Sequence, residues 1–155
     1  MQNRMREHQL NEEQIKDILN KAAVGNFATI DEKGFPYVVP VHFVYSEGKI
    51  YIHGLPKGRK INNLNANEKV GFGINEMKNL IMGDSACNVN TEYESVIITG
   101  IAKLVTDYPI KENILDEIVN KYTPIFSQSK LPDNMIKGTG IIEISILSCT
   151  GKYYK

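Results

Sequence analysis

The chain has 155 residues, 42% of them hydrophobic and 23% charged, with 18 Lys plus Arg against 18 Asp plus Glu. That is the size of one domain able to bury a core, and zero net charge excludes a general attraction for nucleic acid or an acidic membrane. No apolar run reaches a membrane span, Met1 to Gln9 lack the apolar core of a secretory signal, and Cys87 and Cys149 are the only cysteines, outside any metal-ligand spacing. These features predict a cytoplasmic protein with one domain over residues 1–155 and a charged N-terminal arm over 1–10.

Asn11-Glu12-Glu13-Gln14 reads as a capping box, followed by Ile15, Ile18, Leu19, Ala22 and Ala23 at helical spacing. This predicts an amphipathic helix over 12–23, stopped at Gly25. Residues 26–30 form a short strand, and Asp31-Glu32-Lys33-Gly34 is a hairpin connection into a long strand over 35–45. Pro36 and Pro40 interrupt that strand and each removes a ladder donor, so it needs an edge position or a bulge near Pro40. After a turn at 46–49, residues 50–54 return as a strand that ends in a Gly/Pro loop carrying Lys57, Arg59 and Lys60.

Residues 59–66 have helical spacing, with Ile61 and Leu64 on one face, and 70–74 is a strand. Residues 75–92 predict a strand and a loop, and 93–105 a strong strand with a bend or bulge at Gly100. Thr106 and Asp107 offer caps for a helix that carries Ile110, Ile114, Leu115, Ile118 and Tyr122, with Pro109 in its first turn. Residues 127–134 form a loop, and 140–147 alternate as a half-buried strand. Six or seven strands joined largely by hairpins predict a mainly β fold, an antiparallel barrel, closed or split, with flanking helices.

Cations clustered at a strand end beside a helix start suit a phosphate, and Lys60 gains most from the helix dipole. His53 stands at the same strand end, as a rim histidine or as a hydrogen-bonding group for phosphate or substrate. Alternation puts the His42 side chain on the face of Val38 and Val44, half-buried, and His8 lies in the charged arm away from any chemistry. Ser95 lacks the Gly-x-Ser-x-Gly turn of a hydrolase nucleophile, and Cys87 has no adjacent base. Tyr37, Tyr45, Tyr51 and Tyr93 read as packing residues, and no His/Cys/Glu cluster has the spacing of a metal site.

Five stretches in order resemble one family: Val24-Gly25-Asn26-Phe27-Ala28-Thr29, Gly34-Phe35-Pro36-Tyr37-Val38-Val39-Pro40-Val41, Ile50-Tyr51-Ile52-His53-Gly54, Gly58-Arg59-Lys60-Ile61-Asn62-Asn63-Leu64, and Tyr93-Glu94-Ser95-Val96 with Gly100. The chain is similar over nearly its whole length to the pyridoxamine 5'-phosphate oxidase-like flavoproteins, which fold as FMN-binding split barrels. It is most similar to the nitroimidazole-resistance, flavin-nucleotide-binding branch. The resemblance implies an isoalloxazine ring against Val39, Pro40, Val41, His42 and Phe43. It also implies a ribityl chain and phosphate near Ile52 and His53, a phosphate grip by Arg59 and Lys60 with Lys57 close by, and a cofactor contact from Ser95.

It further implies a homodimer with two FMN sites at the subunit interface, and a reductase of nitroaromatic or similar electron-poor small molecules using NAD(P)H or another donor, with no catalytic side chain. Asn67-Glu68 replaces the family's Asn-Pro after the short helix, and nothing near Gly151-Lys152-Tyr153-Tyr154-Lys155 matches the residues that hold pyridoxal phosphate in true pyridoxamine phosphate oxidases. The alternatives are a flavin carrier or sensor without turnover, a split barrel binding haem or F420, and a purely structural dimer.

Overall fold

A computed structural model describes residues 6–155. The elements, in order, are α1 (Glu12–Lys21), β1 (Gly25–Ile30), β2 (Pro36–Val41), β3 (Phe43–Ser46), β4 (Lys49–Gly54), α2 (Arg59–Ala66), β5 (Lys69–Ile81), β6 (Asn90–Leu104), α3 (Tyr108–Tyr122), α4 (Asp133–Gly138) and β7 (Gly140–Tyr154). Short 3-10 turns at Ala86–Asn88 and Pro124–Phe126 complete the set. The seven strands make one antiparallel sheet in the order β2-β1-β5-β6-β7-β4-β3.

That order closes the sheet by covalent necessity. β2 and β3 are its two edges, yet His42 alone separates them in sequence. Two Cα–Cα steps span no more than about 7.6 Å, so the sheet must roll until its edges meet. No ladder joins β2 to β3 among the described residues, which leaves the barrel split along that seam.

The expected strand over 35–45 is therefore two strands. β2 is an edge strand, as Pro36 and Pro40 require, and the chain turns from one sheet edge to the other at His42. This break resets the side-chain alternation. Val38 is 56% exposed whereas Val44 is 4% exposed, and His42 lies exposed at the corner rather than half-buried in a strand.

Several other boundaries move. α1 ends at Lys21 rather than residue 23, with its capping box formed by Asn11 and Gln14 as the sequence requires. Gly25 does not stop the helix; it opens β1, where the Phe72 ring leaves no room for a Cβ. β5 and β6 extend past their expected ends and make residues 75–92 a long hairpin arm. A register shift between Thr99 and Gly100 is the expected bulge. The expected loop over 127–134 ends early, since Asp133 and Asn134 already open α4. β7 runs on to Tyr154 because β6 pairs with it as far as Tyr93.

The barrel interior is filled by Phe27, Phe43, Ile52, Phe72, Ile98 and Ile144 among others, all at most 2% exposed. A second apolar cluster, with Val44, Tyr51, Ile114, Ile118, Ile136 and Ile141, seats α3 and α4 on the outer face of β4 and β7. Both faces of β7 are thus buried at its start. Glu143 is 5% exposed; it accepts from the Tyr51 hydroxyl at 3.1 Å and pairs with Lys49 at 3.1 Å. Residues 1–5 of the expected N-terminal arm lie outside the described residues. Its end is docked, with the Leu10 amide donating to the Gly151 carbonyl at 3.0 Å and the His8 ring against Tyr153 and Tyr154.

Candidate functional site

The end of β4 and the start of α2 build a cationic corner. The intervening loop is held down on β7, since a Cβ on Gly140 would lie 2.8 Å from Pro56 Cα. Gly58, at φ 110°, occupies a backbone region that side chains strain to reach, and it delivers the chain into α2 with no side-chain cap. The amides of Ile61 and Asn62 turn back to the Gly58 carbonyl, leaving those of Arg59 and Lys60 at an open helix start.

α2 is fixed from the opposite side by β1. Asn63, 3% exposed, donates to the Thr29 hydroxyl at 2.9 Å in a buried pair. Arg59 is engaged as well. Its guanidinium donates to Asp31 at 3.2 Å and lies 4.4 Å above the Tyr37 ring, so it ties α2 to the β1–β2 hairpin. Asp31 is thereby occupied three ways, accepting also from the amides of Phe35 and Lys33, which hold its carboxyl below the usual range.

Lys57 and Lys60 have no carboxylate partner among the described residues. The Lys60 ammonium lies over Gly54, 3.4 Å from where a Cβ would stand. Beside it, the Nδ1 atom of His53 is buried without a hydrogen-bond partner. Burial, then the neighbouring His42 and Lys60, push the His53 pKa below its ordinary value, so the ring is neutral at pH 7 and one nitrogen can donate while the other accepts.

The seam lies next to this corner. His42 and His53 flank the Phe43–Ile52 pair at the end of the β3–β4 ladder, with ring centroids 6.4 Å apart and planes 27° from parallel. The His42 ring also stacks on Tyr122, with centroids 4.4 Å apart. Val39 and Val41 turn their side chains toward the core and Pro40 is exposed, while the outer edge of β2 has no strand partner among the described residues. This edge offers main-chain groups to a planar ring; the corner offers cations and an imidazole to an anion. The orphaned His53 nitrogen and the two unpaired lysines fit a phosphorylated cofactor.

The remaining expected contacts fall elsewhere. The Phe43 side chain is fully buried, and its amide and carbonyl are taken up by α3, so neither faces a groove. Ile52 is fully buried too and can contribute main chain alone. Ser95 is not at this corner. It pairs with Lys152 while His53 pairs with Ile141, so at about 3.3 Å per residue roughly 36 Å of β7 separates them. Sequence reasoning missed Tyr122 and Lys121, because their spacing on α3 reads as an ordinary amphipathic helix end. The Lys121 ammonium donates to the Phe43 carbonyl at 3.1 Å without a carboxylate, and burial pulls its pKa down to about 8.

No curated protein matches the chain. Among solved structures, a candidate 5-nitroimidazole antibiotic resistance protein from Bacteroides thetaiotaomicron is 26% identical, with TM-score 0.82, over 93% of this chain and 85% of that one. The flavocytochrome Anf3 from Azotobacter vinelandii (24% identity, TM-score 0.83, 94% of this chain and 68% of that one) has the same fold. So does a FAD- and haem-binding protein from Mycobacterium smegmatis (16% identity, TM-score 0.86, 96% and 74%). The family model described as pyridoxamine 5'-phosphate oxidase matches residues 11–153, and this chain belongs to that family, with the split-barrel fold its neighbours share.

Proposed function

We propose that this protein binds FMN between the β2 edge and the cationic corner. It then serves as an oxidoreductase for nitroaromatic or similar electron-poor small molecules, with NAD(P)H or another donor. The observation that carries this reading is the meeting, at one corner, of two lysines without acidic partners, an uncapped helix start and a buried imidazole nitrogen without a hydrogen-bond partner. Lys60 and the first amides of α2 hold the phosphate, with Lys57 adding charge from the loop. Arg59 braces the corner through Asp31. His53 meets the phosphate end of the ribityl chain, and the main chain of Val39, Pro40, Val41 and His42 lines the polar edge of the ring. Bound FMN supplies hydride and electron transfer. The chain binds it, orients it and leaves one ring face open, so no side chain is assigned as catalytic.

The likeness to the nitroimidazole resistance protein supports the substrate class. A homodimer is part of the proposal. Ile30, Val38, Ile97 and Leu147 are exposed apolar residues on the strands, and Ile30 and Leu147 line a groove of about 400 Å³ over β1, β5 and β6. In a dimer, Ser95 serves the site of the other copy, being remote from its own.

The test is titration of purified protein with FMN, followed by flavin absorption and fluorescence, and then by turnover of a nitroaromatic compound with NAD(P)H. Binding of one FMN per chain with turnover is expected. Uptake without turnover would leave a carrier or sensor, and no uptake would overturn the reading. The facing imidazoles of His42 and His53 favour a haem-binding barrel as the second reading. A Soret band in freshly isolated protein would select it.

A further inference from the structure

The last turn of α3 holds the seam. The Phe43 amide donates to the Tyr122 hydroxyl at 2.9 Å. That hydroxyl in turn reaches the carbonyls of Phe43 and Ala23, each at 2.8 Å. Lys121 donates to the Phe43 carbonyl at 3.1 Å and reaches Leu19 in the last turn of α1 at 3.5 Å. Its ammonium also lies 4.0 Å above the Phe43 ring. Two consecutive residues thus meet the outward-facing main chain at the first residue of β3 and join it to the end of α1. Tyr122 does one thing more: its ring is the surface on which His42 stacks at 4.4 Å.

The placement matters because Phe43 follows the strand break directly. A split seam has no ladder of its own to fix the distance between its edges. Left alone, the Phe43 amide and carbonyl would compete for any ligand lying along β2, or would draw β2 toward β3 and shut the groove. Saturating them from the helix side leaves the β2 edge to offer main-chain groups along the seam. The Tyr122 ring also holds His42 by stacking.

We propose that Tyr122 and Lys121 are positioning residues of the flavin seam, acting through Phe43 and His42 to set the width and polarity of the groove that receives the ring. This rests on the flavin reading above and adds which residues of the chain tune the site.

The experiment has an arm without flavin and an arm with it. In the first, amide hydrogen exchange at Phe43 is compared in the wild type, Tyr122→Phe and Lys121→Met. Removing the hydroxyl is expected to speed Phe43 exchange at least tenfold while the far-ultraviolet spectrum stays the same. Lys121→Met, which leaves the amide bond in place, is expected to have a smaller effect. In the second arm FMN affinity and the visible spectrum of bound flavin are measured. Tyr122→Phe is expected to weaken binding about tenfold and to shift the absorption envelope, which loss of general stability would not do.

Unchanged Phe43 exchange in Tyr122→Phe overturns the clamp itself. Faster exchange with wild-type flavin affinity and spectrum overturns the positioning role. Faster exchange in a protein whose wild type takes up no FMN overturns both the flavin reading and the role derived from it, while the hydrogen bonds stand as structure.

Discussion

Lys60 and Arg59 are neighbours in sequence with different duties in space. Arg59 is committed to Asp31 and Tyr37, whereas Lys60 faces Gly54 and His53 without an acid of its own. Lys60→Ala is therefore expected to weaken FMN about tenfold, or ~1.4 kcal/mol, by loss of a charge-assisted contact, as read by fluorescence titration. Arg59→Ala should act on stability and only slightly, since the guanidinium is 57% exposed in its ion pair with Asp31. The charge pattern identified the cluster but could not divide these roles, because the division depends on Asp31, 28 positions away from Arg59. His53 adds a pH signature. Its folded pKa lies below the unfolded one, chiefly through burial, so the unfolded chain binds the proton more readily. Its stabilising contribution is complete above the unfolded pKa and falls away as pH drops through that value toward the folded pKa. Urea unfolding at pH 7.5 and pH 5.5 should show the wild type losing more stability over that interval than His53→Gln, by a modest amount because the ring is partly in water.

At the scale of elements, α1 was legible because its capping box is a local code, and α2 because Gly58 and the Ile61–Leu64 spacing mark its start and apolar face. The break at His42 was half legible. Two prolines announced an edge strand, yet nothing local says that the chain crosses there to the opposite sheet edge. The error in the His42 side chain follows directly, since alternation holds within one unbroken strand and no further. The β1–α2 contact was invisible to sequence reading. Asn63 and Thr29 look like a helix surface residue and a strand residue, and they meet as a buried donor and acceptor. Asn63→Ala is expected to cost about 2 kcal/mol in chemical unfolding, because it leaves the Thr29 hydroxyl in an apolar site without that donor. FMN affinity should fall with it, since α2 carries Lys60.

For the whole molecule, the apolar residues on the outer sheet face predict association. Sedimentation should give a dimer at micromolar concentration, and Ile97→Lys, placed on a residue 56% exposed in the single chain, should shift it toward monomer without unfolding. A monomeric wild type would remove Ser95 from any account of the site. Among the described residues no helix is long and apolar enough to cross a membrane. By itself the sequence determined a mainly β fold with antiparallel hairpins, the N-caps of α1 and α3 and the positions of the cations, because period, proline, glycine and charge act over a few residues. Tertiary structure alone decided which of the described cations lack an acid partner, that Phe43 faces inward, that Ser95 on β6 lies far from His53, and that Lys121 and Tyr122 fasten the seam. Those facts depend on contacts between segments tens of residues apart, which only the rolled sheet brings into register.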